Sequence, residues 1–170
     1  MTKSRAEIKM EYRTFTPCPE LAPIVKCYWT LEVPVQKDVQ RQRIVPDGCI
    51  EMAFILGDDI KRYTSGNEYI LQPRAMVLGQ TLEPFYIEPT GYVNTFAVRF
   101  YPYSFSNFVT VPIKNLANKE TALSILFGSE VAEALEQKIS KHFYHKRTNR
   151  NYRTLSSQQT FRKINDRHHC

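Results

Sequence analysis

Ile44-Val45-Pro46-Asp47-Gly48-Cys49-Ile50-Glu51-Met52-Ala53-Phe54-Ile55-Leu56-Gly57 is the stretch on which the reading of this fold turns. Pro46 fixes its own φ, Asp47 offers a side-chain acceptor to nearby backbone, and Gly48 adds conformational freedom, so Pro-Asp-Gly reads as a turn. From Cys49 to Leu56 the chain is apolar except for Glu51. A run of this length bounded by turn residues fits a strand buried on both faces, although a buried helix would give the same periodicity. Glu51 is then the residue of most chemical interest. A bare carboxylate does not persist in an apolar interior, so Glu51 is paired, hydrogen-bonded or open to a pocket, or it stands at a rim facing water.

Outward from this stretch the β character continues. After Pro17, Pro19 and Pro23, the residues Val25, Cys27, Trp29, Leu31 and Val33 alternate with Lys26, Tyr28, Thr30 and Glu32. That is a half-buried strand with Trp29, the single tryptophan, in the middle of its inward face, as core filler or as a stacking surface. Tyr12-Arg13-Thr14-Phe15 reads as a short edge strand. Downstream, Gly57-Asp58-Asp59 reads as a hairpin-like turn into an exposed strand at Ile60–Thr64, followed by short strand-like segments at Tyr69–Leu71, Ala75–Leu78 and Pro84–Pro89. Val93 to Phe100, β-branched and aromatic, is the second strong strand, and its Arg99 is the expected partner of Glu51. Short strands between turn signals predict a sandwich or barrel.

After Pro102 the pattern becomes helical. Asn118 is placed to cap a helix over residues 119–127 that Gly128 ends, and Ser129 to cap a second. In the second helix Val131, Leu135, Ile139 and Phe143 form a narrow apolar stripe, suited to packing on its own domain or on a second copy. The fold class is therefore mainly β (α+β), a small β-barrel followed by two or three helices.

The net charge of +6 is unevenly spread. Residues 138–170 carry nine lysines and arginines against Asp166, a net +8, whereas residues 1–137 carry 14 basic and 16 acidic groups, a net −2. Two parts follow: a barrel with closing helices at 1–137 and a basic helical or linker tail at 138–170. In the tail, Lys146, Arg147, Arg150 and Arg153 interleave with aromatic residues, which suits phosphate contact and base stacking, or equally a solvated chain end. No apolar run reaches the roughly 18 residues of a membrane span, and no apolar segment follows the polar start, so neither membrane nor signal peptide is expected. Four cysteines without CxxC spacing read as reduced thiols, which points to the cytoplasm.

Catalytic and metal chemistry is thinly supplied. All four histidines (His142, His145, His168, His169) lie beyond the β region, which removes an imidazole-based metal centre inside the barrel. There is no GxGxxG or Walker loop, and no histidine for a nucleophilic triad within residues 1–141. Neither enzymatic activity, a cofactor nor a metal is expected.

Several segments in order resemble a known family. Cys18-Pro19-Glu20-Leu21-Ala22-Pro23 with Val25, Tyr28 and Trp29 resembles its opening, and Arg43 to Glu51, with Pro46-Asp47-Gly48, resembles its P-D-G-x-x-E signature. Gly79-Gln80-Thr81, Val98-Arg99-Phe100-Tyr101-Pro102 and Leu123 to Gly128 are similar to its later segments. The family is the N-terminal sensor domain of a subset of AraC/XylS-type transcriptional regulators, and the resemblance covers roughly residues 12–140. It implies a cytoplasmic, cupin-like or jelly-roll-like barrel that senses a small-molecule effector or mediates dimerisation, with a homodimer as the expected partner state. Trp29, Glu51, Phe85, Tyr86 and Arg99 are then the ligand-pocket candidates. A paired helix-turn-helix module, on the order of 100 residues, would read DNA in such regulators. Only the segment after Lys141 remains for it here, so DNA binding is expected only where that module is present in the full-length protein. A stand-alone nucleic-acid-associated protein acting through its basic tail is the alternative.

Overall fold

The structure is a computed structural model and describes residues 10–148, with side-chain surroundings through residue 143. The opening stretch becomes β4 (Ile50–Ile55), a central strand. Before it come β1 (Glu11–Phe15), β2 (Val25–Val33) and β3 (Gln42–Ile44). After it come β5 (Ile60–Ser65), β6 (Glu68–Leu71), β7 (Ala75–Leu78), β8 (Phe85–Pro89), β9 (Val93–Phe100) and β10 (Glu120–Ala122). The helices are α1 (Pro102–Phe105), α2 (Leu123–Phe127) and α3 (Ser129–Thr148).

The strands form two antiparallel sheets, of order β1-β2-β9-β4-β7-β10 and β3-β8-β5-β6. From β2 to β9 each strand passes to the other sheet except at the β5–β6 hairpin, so 2-9-4-7 faces 3-8-5-6. That is the strand order of an eight-stranded jelly roll, to which β1 and β10 add edges. The fold class expected from sequence is thus the one observed. The turn at Gly57-Asp58-Asp59 differs from its expected role. It carries the chain between sheets, because β4 pairs with β7 and β9 and not with β5.

Both faces of the large sheet are covered, which explains the unbroken apolar runs. On the outer face Tyr28, Ile50, Met52, Phe54, Phe96, Val98 and Phe100 meet Ala132, Leu135 and Ile139 of α3 and Leu123 of α2. Fully burying each such side chain contributes roughly 1.5–3 kcal/mol. Tyr28, expected on a polar face, is buried there because a bulge between Val25 and Cys27 and the helical layer leave β2 with no solvent face. On the inner face Ala53, Ile55, Met76 and Ala97 meet Ile60 and Ile87 of the small sheet.

The helical layer departs from its expected start. Residues 120–122 join β7 as an edge strand, and Asn118, at φ 60°, accepts the Leu82 N–H instead of capping a helix. Helix α2 therefore begins only at Leu123. Helix α3 packs on its own domain through Ala132, Leu135, Ile139 and Phe143, the last against Phe96, while Val131 is exposed. It runs unbroken through residue 138, so the change of charge there marks no end of an element. Gly79 gives this layer its seat: a Cβ at that position would lie 1.8 Å from the Leu116 carbonyl oxygen.

Candidate functional site: an arginine shared by two carboxylates

Strand register builds the site. Cys27, Arg99, Glu51, Leu78 and Glu120 lie directly across from one another on β2, β9, β4, β7 and β10, a single row on the inner face. The next row is Trp29, Ala97, Ala53, Met76 and Ala122. Its three alanines leave Trp29 and Met76 as the only long side chains in that row.

The Pro46-Asp47-Gly48 turn delivers a second carboxylate to the first row. Gly48 takes φ 74°, which a side chain would resist, and Asp47 Oδ1 accepts the Cys49 N–H at 2.9 Å. With that oxygen engaged, Oδ2 stands 3.3 Å from Arg99 Nη1. Gln80 Nε2 donates to the Gly48 carbonyl at 2.9 Å and holds the turn from β7's side. On the other side of Arg99, its Nε and Nη2 both reach Glu51 Oε1, at 2.6 and 2.5 Å. Trp29 Nε1 donates to the same oxygen at 3.3 Å, and the Trp29 ring meets Tyr12 with centroids 5.9 Å apart. The P-D-G-x-x-E pattern thus has a geometric meaning: Asp47 and Glu51 bracket one arginine.

Burial pushes the Glu51 carboxyl above the usual glutamate range, with Arg99 pulling against it. Burial works against the Arg99 charge, but Glu51 and then Asp47 hold it above the ordinary arginine value. Burial likewise raises the Cys27 thiol, the neighbour of Arg99 on β2. The three donors converge on Oε1 of Glu51, and Oε2 receives none of them. Arg99 carries five N–H groups, so its contacts to the two acids leave donors over. The Glu51 side chain is 12% exposed and that of Arg99 25%, so the hub is open to solvent past Asp47. A molecule arriving there meets an acceptor and free donors side by side.

A second ion pair closes the far end of the row. Arg62 of β5 reaches across from the small sheet to Glu120 Oε1 at 3.3 Å, and Gln72 Nε2 donates to the same oxygen at 2.9 Å. The Glu120 side chain is only 4% exposed, and the Arg62 guanidinium lies 3.8 Å from the Phe85 ring centroid. This cluster ties the two sheets together.

Of the five pocket candidates, Trp29, Glu51 and Arg99 come together in direct contact. Phe85 faces inward but stands under Arg62, at the second ion pair. Tyr86 is exposed on the opposite face of β8, beside Tyr63 and Arg43, and is not brought to the site. Asp47, Gln72, Arg62 and Glu120 belong to the inner polar row or its neighbours although the sequence reading gave them no site role. For Asp47 the signal was present, an acid in a turn four residues before the buried Glu51. Lys146 and Arg147 belong to the last turn of α3, with side chains outside the described residues, and Arg150 and Arg153 lie outside the described residues altogether. Among the described residues no cluster of three or more His, Cys, Asp or Glu side chains could hold a metal, and no helix is long and apolar enough to cross a membrane. Cys18, Cys27 and Cys49 are free thiols, partly buried.

No curated protein matches the chain in sequence. Two solved structures resemble it weakly. An HTH_3 family transcriptional regulator from Vibrio cholerae matches at 15% identity and a TM-score of 0.39, over 55% of this chain and 51% of that one. An FeII HppE matches at 13% identity and a TM-score of 0.39, over 59% of this chain and 60% of that one. The chain thus spans between half and three-fifths of either protein, and such likeness adds nothing to the fold drawn from strand order. The profile of DUF6597, described as a domain of unknown function, matches residues 13–122, which contain the whole jelly roll and every residue of the Arg99 hub but Tyr12. On that match the chain belongs to the DUF6597 family.

Proposed function

We propose that this chain is the sensor domain of a transcriptional regulator of the AraC type, binding a small-molecule effector at the Arg99 hub without transforming it. One observation carries the reading: Asp47 and Glu51 share Arg99, whose side chain stays a quarter exposed, beside the apolar cluster of Ala53, Ile55, Ile60, Met76 and Ala97 between the sheets. An ion pair placed there adds little net stability over an apolar core, so its use fits recognition better than folding. Glu51 Oε2 would accept from the ligand, Arg99 would donate to it, and Trp29 would cover its apolar part. Glu51 is tied to Arg99 through Oε1, which suits it to positioning more than to proton transfer. In this reading the domain works in the cytoplasm as a homodimer and requires no cofactor. DNA is read by a helix-turn-helix module in the full-length protein.

Thermal shift against a metabolite library tests the proposal. A ligand at 100 times its Kd stabilises by about 2.7 kcal/mol, which raises Tm by roughly 5–10 °C at this chain length. The shift is expected to vanish in Arg99→Met and to shrink in Glu51→Gln. A shift fully retained in Arg99→Met, or turnover of the bound compound, would overturn it.

A further inference from the structure

The outer face of the small sheet carries an arrangement that the Arg99 hub does not use. Register places Arg43, Tyr86, Tyr63 and Tyr69 directly across from one another on β3, β8, β5 and β6, one row over all four strands. In the adjacent row Glu88 faces Lys61. The Lys61 ammonium lies 4.9 Å from the Tyr69 ring centroid, and the Arg41 guanidinium 3.6 Å from that of Tyr63. Tyr69 is 49% exposed and Tyr86 46%, and Arg43 is exposed beside them. We infer that this face is a binding surface for single-stranded nucleic acid.

Three features select that occupant. The first is charge. Arg41, Arg43 and Lys61 oppose one acid, Glu88, a local net +2 on a part of the chain (residues 1–137) whose own net charge is −2. Glu88 is already occupied, accepting from Lys61 Nζ at 2.9 Å and from the Tyr63 hydroxyl at 3.0 Å, with Arg41 Nε 3.9 Å away. Arg43 is left facing solvent, and the patch as a whole favours an anionic partner. The second is the tyrosine row. Two inter-strand steps of about 4.8 Å make it roughly 10 Å wide, a span that takes two or three bases laid across the strands, with Arg43 one strand further on. Tyr63 and Tyr69 are tilted by 60° with centroids 5.9 Å apart and form no closed stack; Arg41 covers one face of Tyr63, so Tyr69 and Tyr86 are the exposed rings of the row. The third is the pairing of flat rings with cations. Bases supply π-faces for the rings and phosphates for the cations, whereas an acidic peptide answers only the cations.

This inference is independent of the effector reading, because the hub stands on the inner face of the large sheet and the tyrosine row on the outer face of the small one. The test uses the full 170-residue chain. Fluorescence anisotropy follows a labelled oligothymidylate of about ten nucleotides, within the range of ordinary single-strand sites, beside a duplex of equal length. The single strand is expected to bind more tightly than the duplex. Tyr86→Ala and Tyr69→Ala are each expected to weaken it at least fivefold, the lower end of what one lost stacking contact costs. Tyr86→Phe retains binding. Arg43→Ala lowers the slope of log K against log salt by about 0.7. Unchanged circular dichroism and Tm exclude misfolding of the variants. A Tyr69→Ala/Tyr86→Ala double variant that binds like the wild type would overturn the inference and place binding on the basic segment 138–170. Equal affinity for duplex, no binding at low salt, or a Tyr86-dependent self-association in sedimentation would also overturn it.

Discussion

Replacing Arg99 by methionine tests whether the hub is an electrostatic unit. The substitution keeps most of the aliphatic stem and removes every charged donor from Glu51. What remains is a carboxylate 12% exposed with Trp29 as its remaining donor, and Asp47 as a second negative charge on the far side. Breaking a fully buried pair costs about 3–5 kcal/mol. Arg99 is itself a quarter exposed, so solvent compensates part of that loss and about 2–3 kcal/mol is expected. In urea the midpoint should fall with an unchanged slope, and Tm should drop by roughly 4–12 °C. Adding Glu51→Gln removes the stranded charge, so the double variant should recover more than half of the loss. An Arg99→Met protein within about 0.5 kcal/mol of wild type, or a double variant equal to the sum of the singles, would refute the coupling.

The pH dependence of Glu51 gives a second expectation. Its folded-state pKa is raised, so its proton binds more tightly in the folded protein; the stability this supplies is complete below the unfolded value, near 4.5, and is lost as pH rises through the folded one. Glu51→Gln does not titrate, so its stability relative to wild type should rise with pH above about 4.5; urea titrations at a series of pH values would show a flat difference if burial of Glu51 were wrong. The glycines should separate by mechanism. Gly79→Ala forces a Cβ to 1.8 Å from the Leu116 carbonyl oxygen and should cost about 3 kcal/mol or more, whereas Gly48→Ala, with open space but φ 74°, should cost only about 1–2 kcal/mol, both read as urea midpoints.

Much of the hub was legible because it breaks a pattern. β4 and β9 are long apolar strands between turn signals, each interrupted by one charge, and two lone opposite charges in buried strands require each other. Phe85 and Tyr86 show what was not legible. Adjacent residues on a strand point to opposite faces, so they could not share a pocket, and only the register against β5 tells which one turns inward. Pairing partners were hidden for the same reason. Nothing local in Gly57-Asp58-Asp59 distinguishes a hairpin from a crossing between sheets, and nothing local in residues 120–122 reveals that β7 offers them an edge. The tyrosine row draws on three strands that the sequence separates by turns, and it exists only once their registers are fixed.

The place of β9 in the large sheet also governs how the chain can acquire its structure. It is the last of the eight jelly-roll strands to leave a ribosome, yet it lies between β2 and β4. Tyr28 and Val98, paired across β2 and β9, are 70 positions apart. Until β9 arrives, β2 and β4 each present an open apolar edge, and the loop that brings them their partner is long. Folding is therefore expected on the slow side, milliseconds to seconds, as for other nonlocal β topologies. A chain cut before Val93 would retain seven of the eight strands and still be a species that aggregates.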